Sequence, residues 1–134
     1  ATPAAQDVHL VFVGDPKGDG FHSNYEEIKA RSNGHPSLAG RVFFTGFVSD
    51  EDLTAVYSDA LAVAMPALSE GFGLPAAEAI ACGTPVIATR GGAVEEIVGS
   101  AGLFFDPLDI ADMARVITAV AQGGEALETV RSAC

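Results

Sequence analysis

The chain changes character repeatedly between Leu61 and Thr89, and that stretch limits its fold more than any other. Leu61-Ala-Val-Ala-Met65 is an apolar run of strand length, closed by Pro66. A glycine-bearing loop follows at Glu70-Gly71-Phe72-Gly73-Leu74, and Pro75 stands where a helix would begin. Proline suits a helix start because its missing N–H costs no hydrogen bond there. Alanine-rich sequence continues to Cys82, Gly83-Thr84 turns the chain, and Pro85-Val-Ile-Ala88 is a second apolar run. Strand, loop, helix, turn and strand in that order join two parallel neighbours through a helical crossover.

The same alternation extends over the rest of the sequence. Val8-His-Leu-Val-Phe-Val13 is a continuous apolar run ended by Gly14, expected as a first strand buried on both faces of a parallel sheet. Asn24 to Ser32 reads as a helix with Tyr25, Ile28 and Ala30 inward, stopped by Asn33-Gly-His-Pro36. Arg41–Thr45 is the second strand; Ser49 then caps a helix with acids in its first turn and an apolar stripe of Leu53, Val56 and Tyr57. Leu61–Met65, Pro85–Ala88 and Leu103–Phe105 supply the remaining strands. Ala93–Val98 is a short helix between glycines, and Asp109 caps a last clear helix. There Ile110, Met113, Ala114, Ile117 and Val120 are expected against the sheet. Alternating strands and helices predict an α/β fold, a doubly wound parallel sheet with helices on both faces. Such sheets bind ligands at the C-terminal ends of their strands, where the Glu70–Glu78 segment follows the third strand.

Composition narrows the function classes. A chain of 134 residues, 49% hydrophobic, can bury one sizeable core as a single domain. Its 18 acids against 7 bases, net −11, oppose binding to nucleic acid or an anionic membrane. Cys82 and Cys134 form no disulfide framework or metal spacing, as expected of a reduced, cytoplasmic protein. His22 and His35 stand in loops without a second ligand at metal spacing, so no metal site is expected. Gly14-Asp-Pro-Lys-Gly-Asp-Gly20 contains a G-x-G pair, but Ser23 replaces the third glycine of a dinucleotide fingerprint. That loop reads as a flexible turn with Lys17 in solvent.

The loop before the Pro75 helix carries more specific chemistry. Gly71 and Gly73, lacking Cβ, let backbone N–H groups approach a ligand closely, and a helix N-terminus attracts anions. Glu70 and Glu78 bracket this seat with seven residues between them. An anion seat flanked by acids suits a ligand with both phosphate and hydroxyl groups. Each residue alone also has a plainer reading. Glu78 would stabilise the helix dipole by about 0.3–1 kcal/mol, and Glu70 would be a solvated loop acid. Cys82 reads as a small buried residue rather than a nucleophile. Arg90, past the fourth strand, would either approach phosphate or sugar or stand in solvent.

The string Glu70, Gly71-Phe-Gly-Leu-Pro75, Glu78 and Ala81-Cys-Gly-Thr-Pro-Val-Ile-Ala88 resembles the donor-binding, C-terminal domain of retaining GT-B glycosyltransferases. The likeness is greatest to bacterial family-four sugar transferases, the glycosyl transferases of group 1. It runs from about Val8 to Ile117 and is strongest from Gly46 to Asp106. The resemblance implies a Rossmann-like half of a GT-B fold over residues 1–134, a single truncated domain whose N-terminal acceptor half is absent. It implies Glu78 on the ribose hydroxyls of the donor nucleotide. Glu70 would lie beside the transferred sugar as the catalytic residue, stabilising positive charge at the anomeric carbon. The loop of Gly71, Phe72, Gly73 and Leu74 would meet sugar hydroxyls and the distal phosphate, and Val48, in the Gly46-Phe-Val48 turn, the base. The ligand would be a nucleoside diphosphate sugar acting as donor substrate, with no cofactor and no obligatory metal. The family's opening strand, with an arginine and a lysine for the diphosphate, is also missing, so the isolated chain is expected to be inactive. The other reading is a non-catalytic module that binds a nucleotide or sugar phosphate.

Overall fold

The computed structural model describes residues 8–16, 24–68 and 71–134. Lys17, His22 and Glu70 lie outside the described residues. The chain divides into two compact units, Asp7–Asp52 and Leu53–Cys134.

In the first unit, β1 (Leu10–Phe12) pairs in parallel with β2 (Val42–Phe44), Leu10 opposite Val42 and Phe12 opposite Phe44. Helix α1 (Tyr25–Gly34) connects them. The Arg41 guanidinium anchors the start of the pair, donating to the Val8 carbonyl from Nε at 3.1 Å and Nη2 at 2.9 Å. The Phe44 ring stacks on Phe12 at 4.9 Å and meets Tyr25 edge-on at 5.0 Å. Beyond the strands, the Gly14 N–H donates to the Gly46 carbonyl at 3.1 Å. The first strand is not buried on both faces as expected: Leu10 is 49% and Val11 43% exposed. Its only partner among the described residues is β2, and burial on both faces needs neighbours that one strand cannot supply. On α1, Ile28 and Ala30 are exposed and Ser32 is buried. Residues seven apart share a helix face, so Ser32 follows Tyr25 inward while Ala30 turns outward. The Ser32 hydroxyl is satisfied by the Lys29 carbonyl at 2.9 Å.

Helix α2 (Asp50–Asp59) begins as its sequence predicts. Ser49 Oγ accepts from the Asp52 N–H at 3.1 Å and donates to the Asp52 carboxylate at 2.8 Å, a reciprocal cap. Its Leu53, Val56 and Tyr57 are half-buried.

The second unit contains β3 (Val63–Met65), β4 (Val86–Thr89) and β5 (Gly102–Phe105), parallel and adjacent in that order. All four residues of the central strand β4 are buried, and their alternation distributes them to two cores. Val86 and Ala88 pack with Ala76 and Ala79 of α3 (Leu74–Ala81) and with Val94 and Val98 of α4 (Ala93–Val98). Ile87 packs on the opposite face with Phe105. Val116 and Val120 of α5 (Ile110–Gln122) and Leu127 and Val130 of α6 (Glu125–Arg131) complete that core. The expected α/β architecture, parallel strands with helices on both faces, is therefore borne out. Helices α3 and α4 share one face because consecutive parallel crossovers turn with the same hand.

Asp109 caps α5, its Oδ1 accepting from the N–H groups of Ala111 at 2.8 Å and Asp112 at 3.1 Å. The predicted stripe of this helix is rotated from the observed one. Ile110 is 83% and Ile117 44% exposed, whereas Val116 is 3% exposed. Met113, Val116 and Val120 form the buried line, with Ala114 outside it. Apolar residues flank that line on one side, so apolar spacing alone places its centre too far round. No helix among the described residues is long and apolar enough to cross a membrane.

Candidate functional site

The C-terminal ends of β3 and β4 open onto the loop that leads into α3. Gly73 is the N-cap residue of α3 and adopts φ +76°, ψ 39°, a left-handed conformation that glycine accepts without steric cost. It is also buried against α4: a Cβ at Gly73 would lie 2.8 Å from Val94 Cγ2. Its carbonyl accepts from the N–H groups of Ala76 at 3.0 Å and Ala77 at 3.2 Å. Pro75 has no N–H, and the Leu74 N–H meets no backbone acceptor among the described residues. The first turn thus directs a donor away from the helix body, as an anion seat requires. Gly71, Phe72 and Leu74 are exposed around it.

Glu78 lies one turn further along α3, exposed. The Tyr57 hydroxyl donates to its Oε2 at 3.1 Å. Burial foremost, then the hydrogen bond to Glu78 and its charge, push the Tyr57 phenol up to about 12. The phenol is protonated at neutral pH even at its ordinary value, and the shift carries its protonated, donating form to higher pH. Tyr57 is itself fixed: its carbonyl accepts from the buried Thr84 Oγ1 at 2.6 Å, and its side chain packs against the α3 and α4 core.

A cavity of about 160 Å³ opens beside the loop, lined by Ala67, Leu68, Thr89, Arg90, Gly92 and Val94 among others. Thr89 Oγ1 donates to the Ala67 carbonyl at 2.8 Å, holding the ends of β3 and β4 together. The Arg90 N–H donates to the Phe105 carbonyl at 2.8 Å, and Nη2 reaches the Phe104 carbonyl at 3.5 Å. Arg90 is thus at the expected edge, with its head group turned toward β5. The Glu95 carboxylate accepts from the Gly91 N–H and closes the turn after β4.

Of the residues singled out in the sequence, Gly71, Phe72, Gly73, Leu74 and Glu78 come together at the start of α3. Val48 is half-buried in the turn after β2, in the first unit. Glu70 lies outside the described residues. Cys82 is half-buried at the C-cap of α3. The hydrogen-bonding roles of Tyr57, Thr84, Thr89 and Glu95 escape sequence reading: Tyr57 reads there only as part of an apolar stripe, and its partner is 21 positions away. Among the described residues, no group of three or more His, Cys, Asp or Glu side chains is arranged to hold a metal ion.

Known proteins are similar to this chain in sequence and in fold. O-antigen chain mannosyltransferase B of Escherichia coli is 44% identical over 71 residues, covering 53% of this chain and 19% of that protein. D-inositol 3-phosphate glycosyltransferase of Mycobacterium sp. (strain KMS) is 38% identical over 122 residues, covering 90% of this chain and 27% of the other. The crystal structure of Anabaena HepE in complex with UDP-glucose matches 96% of this chain and 36% of its own, with a TM-score of 0.75 at 25% identity. The chain therefore spans well under half the length of these proteins, and its fold is the Rossmann-like one of GT-B glycosyltransferases. The family model described as glycosyl transferases group 1 matches residues 1–122, and the chain belongs to that family.

Proposed function

We propose that this chain is the donor-binding half of a retaining glycosyltransferase, which moves a sugar from a nucleoside diphosphate sugar to an acceptor hydroxyl. The observation that carries the reading is the start of α3: a buried glycine cap, exposed residues Gly71, Phe72 and Leu74 around it, and a Glu78 carboxylate held by Tyr57. Two carboxylate oxygens match the two hydroxyls of a ribose diol, each accepting a charge-assisted hydrogen bond. Amides at a helix start match the distal phosphate. Binding of UDP-glucose by the Anabaena neighbour supports the same ligand class.

In this reading Glu70 lies by the transferred sugar and stabilises the positive charge that develops as the glycosidic bond breaks. Val48 meets the base through its backbone. The donor is a substrate, and the reaction needs no cofactor and no obligatory metal ion. Acceptor recognition comes from an N-terminal half, and the arginine and lysine that neutralise the diphosphate come from the opening strand of the donor domain and the loop after it. Without that half and those cations the isolated chain is inactive in transfer, and its net charge of −11 leaves it a weak binder of nucleoside diphosphates. The free thiols of Cys82 and Cys134 fit a cytoplasmic setting.

Steady-state kinetics on the complete enzyme test the roles. Glu78→Gln is expected to raise donor KM with kcat little changed, a loss of about 1.5–3 kcal/mol for a charge-assisted hydrogen bond. Glu70→Gln is expected to lower kcat with a smaller change in donor affinity. Equal weakening of bare UDP binding by both variants would overturn the division of roles. Nuclear magnetic resonance of the product decides retention, and sugar transfer by the isolated chain at an ordinary rate would remove the half-enzyme reading.

A further inference from the structure

We infer that Tyr57 is a positioning residue for donor binding, holding the Glu78 carboxylate in the orientation that meets a nucleotide diol. The inference rests on the donor-site reading of Glu78 and adds a residue from a different helix to it.

Glu78 is exposed, and an exposed glutamate ordinarily samples several rotamers, so a ligand that needs one of them must pay for the selection in entropy. Here one carboxylate oxygen, Oε2, accepts from the Tyr57 hydroxyl at 3.1 Å. That bond leaves Oε1 and the remaining lone pair of Oε2 for a ligand. The donor is stiff where the acceptor is not. A phenol ring has two side-chain torsions, and this one is packed against the core cluster to which Ala76 and Ala79 of α3 belong. Its backbone is tied to the turn before β4 by the 2.6 Å bond from Thr84 Oγ1, and Thr84 is 1% exposed. Because an ionised carboxylate only accepts and a phenol keeps its proton at neutral pH, the hydroxyl acts as the donor toward Glu78. The ordering cost is thus met on folding, before any ligand arrives, which is preorganisation in the ordinary sense.

The test separates this inference from the donor-site reading. On the wild-type chain, three-bond side-chain couplings of Glu78 should report one dominant rotamer without ligand; couplings averaged over several rotamers would overturn the inference, whether or not any variant folds. In Tyr57→Phe, which keeps the ring and its packing, those couplings should become averaged while the melting temperature moves little. Unchanged couplings there would also overturn it. Titration with UDP should then show Tyr57→Phe binding about three- to tenfold more weakly, the range for ordering one rotamer-rich side chain on binding. In a Glu78→Gln background the same change should have little further effect, since the residue it positions has lost its charge. In the complete enzyme the loss should appear in donor KM and leave kcat nearly unchanged. Equal loss from Tyr57→Phe in both backgrounds would mean that Tyr57 acts apart from Glu78 and would overturn the inference. If Glu78→Gln itself leaves UDP binding unchanged, the donor-site reading fails and this inference with it, and the couplings still show whether Tyr57 orders the carboxylate.

Discussion

Gly73 and Tyr57 show how single residues set the geometry at the start of α3. Gly73 combines a left-handed backbone with a side-chain position already occupied by Val94 Cγ2 at 2.8 Å. Gly73→Ala should therefore destabilise the fold by about 1–3 kcal/mol, from the left-handed penalty together with overpacking. Adding Val94→Ala should recover part of the overpacking loss and none of the backbone penalty, a result that urea unfolding of the single and double variants can check. Tyr57 gives a pH signature. Its folded-state value of about 12 lies above the usual value of 10, so the folded chain holds this proton more tightly than the unfolded chain. The contribution is fully present below pH 10 and is lost as pH rises toward 12. Stability measured across that window should fall less steeply in Tyr57→Phe than in the wild type.

At the scale of elements, α5 is where sequence pattern and structure diverge most. Its start is legible because an aspartate before a helical run accepts from the first free N–H groups, and Asp109 does so. Asp109→Ala should cost about 1 kcal/mol. The buried line is less legible because Ile110 and Ile117, apolar and seven apart, flank it on one side and stand exposed. Val116→Ala should cost about 2 kcal/mol, for the methyl groups lost and the space left. Ile110→Ala should stay within about 0.5 kcal/mol, as for other exposed sites. Chemical denaturation of the two variants would decide between the sequence-predicted stripe and the observed one. The α1 helix carries the same lesson: apolar Ala30 is out and polar Ser32 is in, the latter because its hydroxyl finds the Lys29 carbonyl.

At the scale of the whole chain, the architecture was legible because its cause is local. Apolar runs of strand length separated by helix-length segments admit few arrangements other than parallel strands joined by crossovers. Phe105, 1% exposed, lies within the α5 and α6 core at the end of β5; Phe105→Ala should cost about 3–5 kcal/mol in denaturant unfolding. The sequence by itself determined the order of elements, the Ser49 and Asp109 caps and the glycine loop before α3, since each depends on residues close together in the chain. Tertiary structure alone decided how far β1 is covered, which line of α5 turns inward, and what Gly73 and Glu78 touch. Those outcomes depend on neighbours across the fold, Val94 for Gly73 and Tyr57 for Glu78, and a side chain 21 positions away leaves no trace in local spacing.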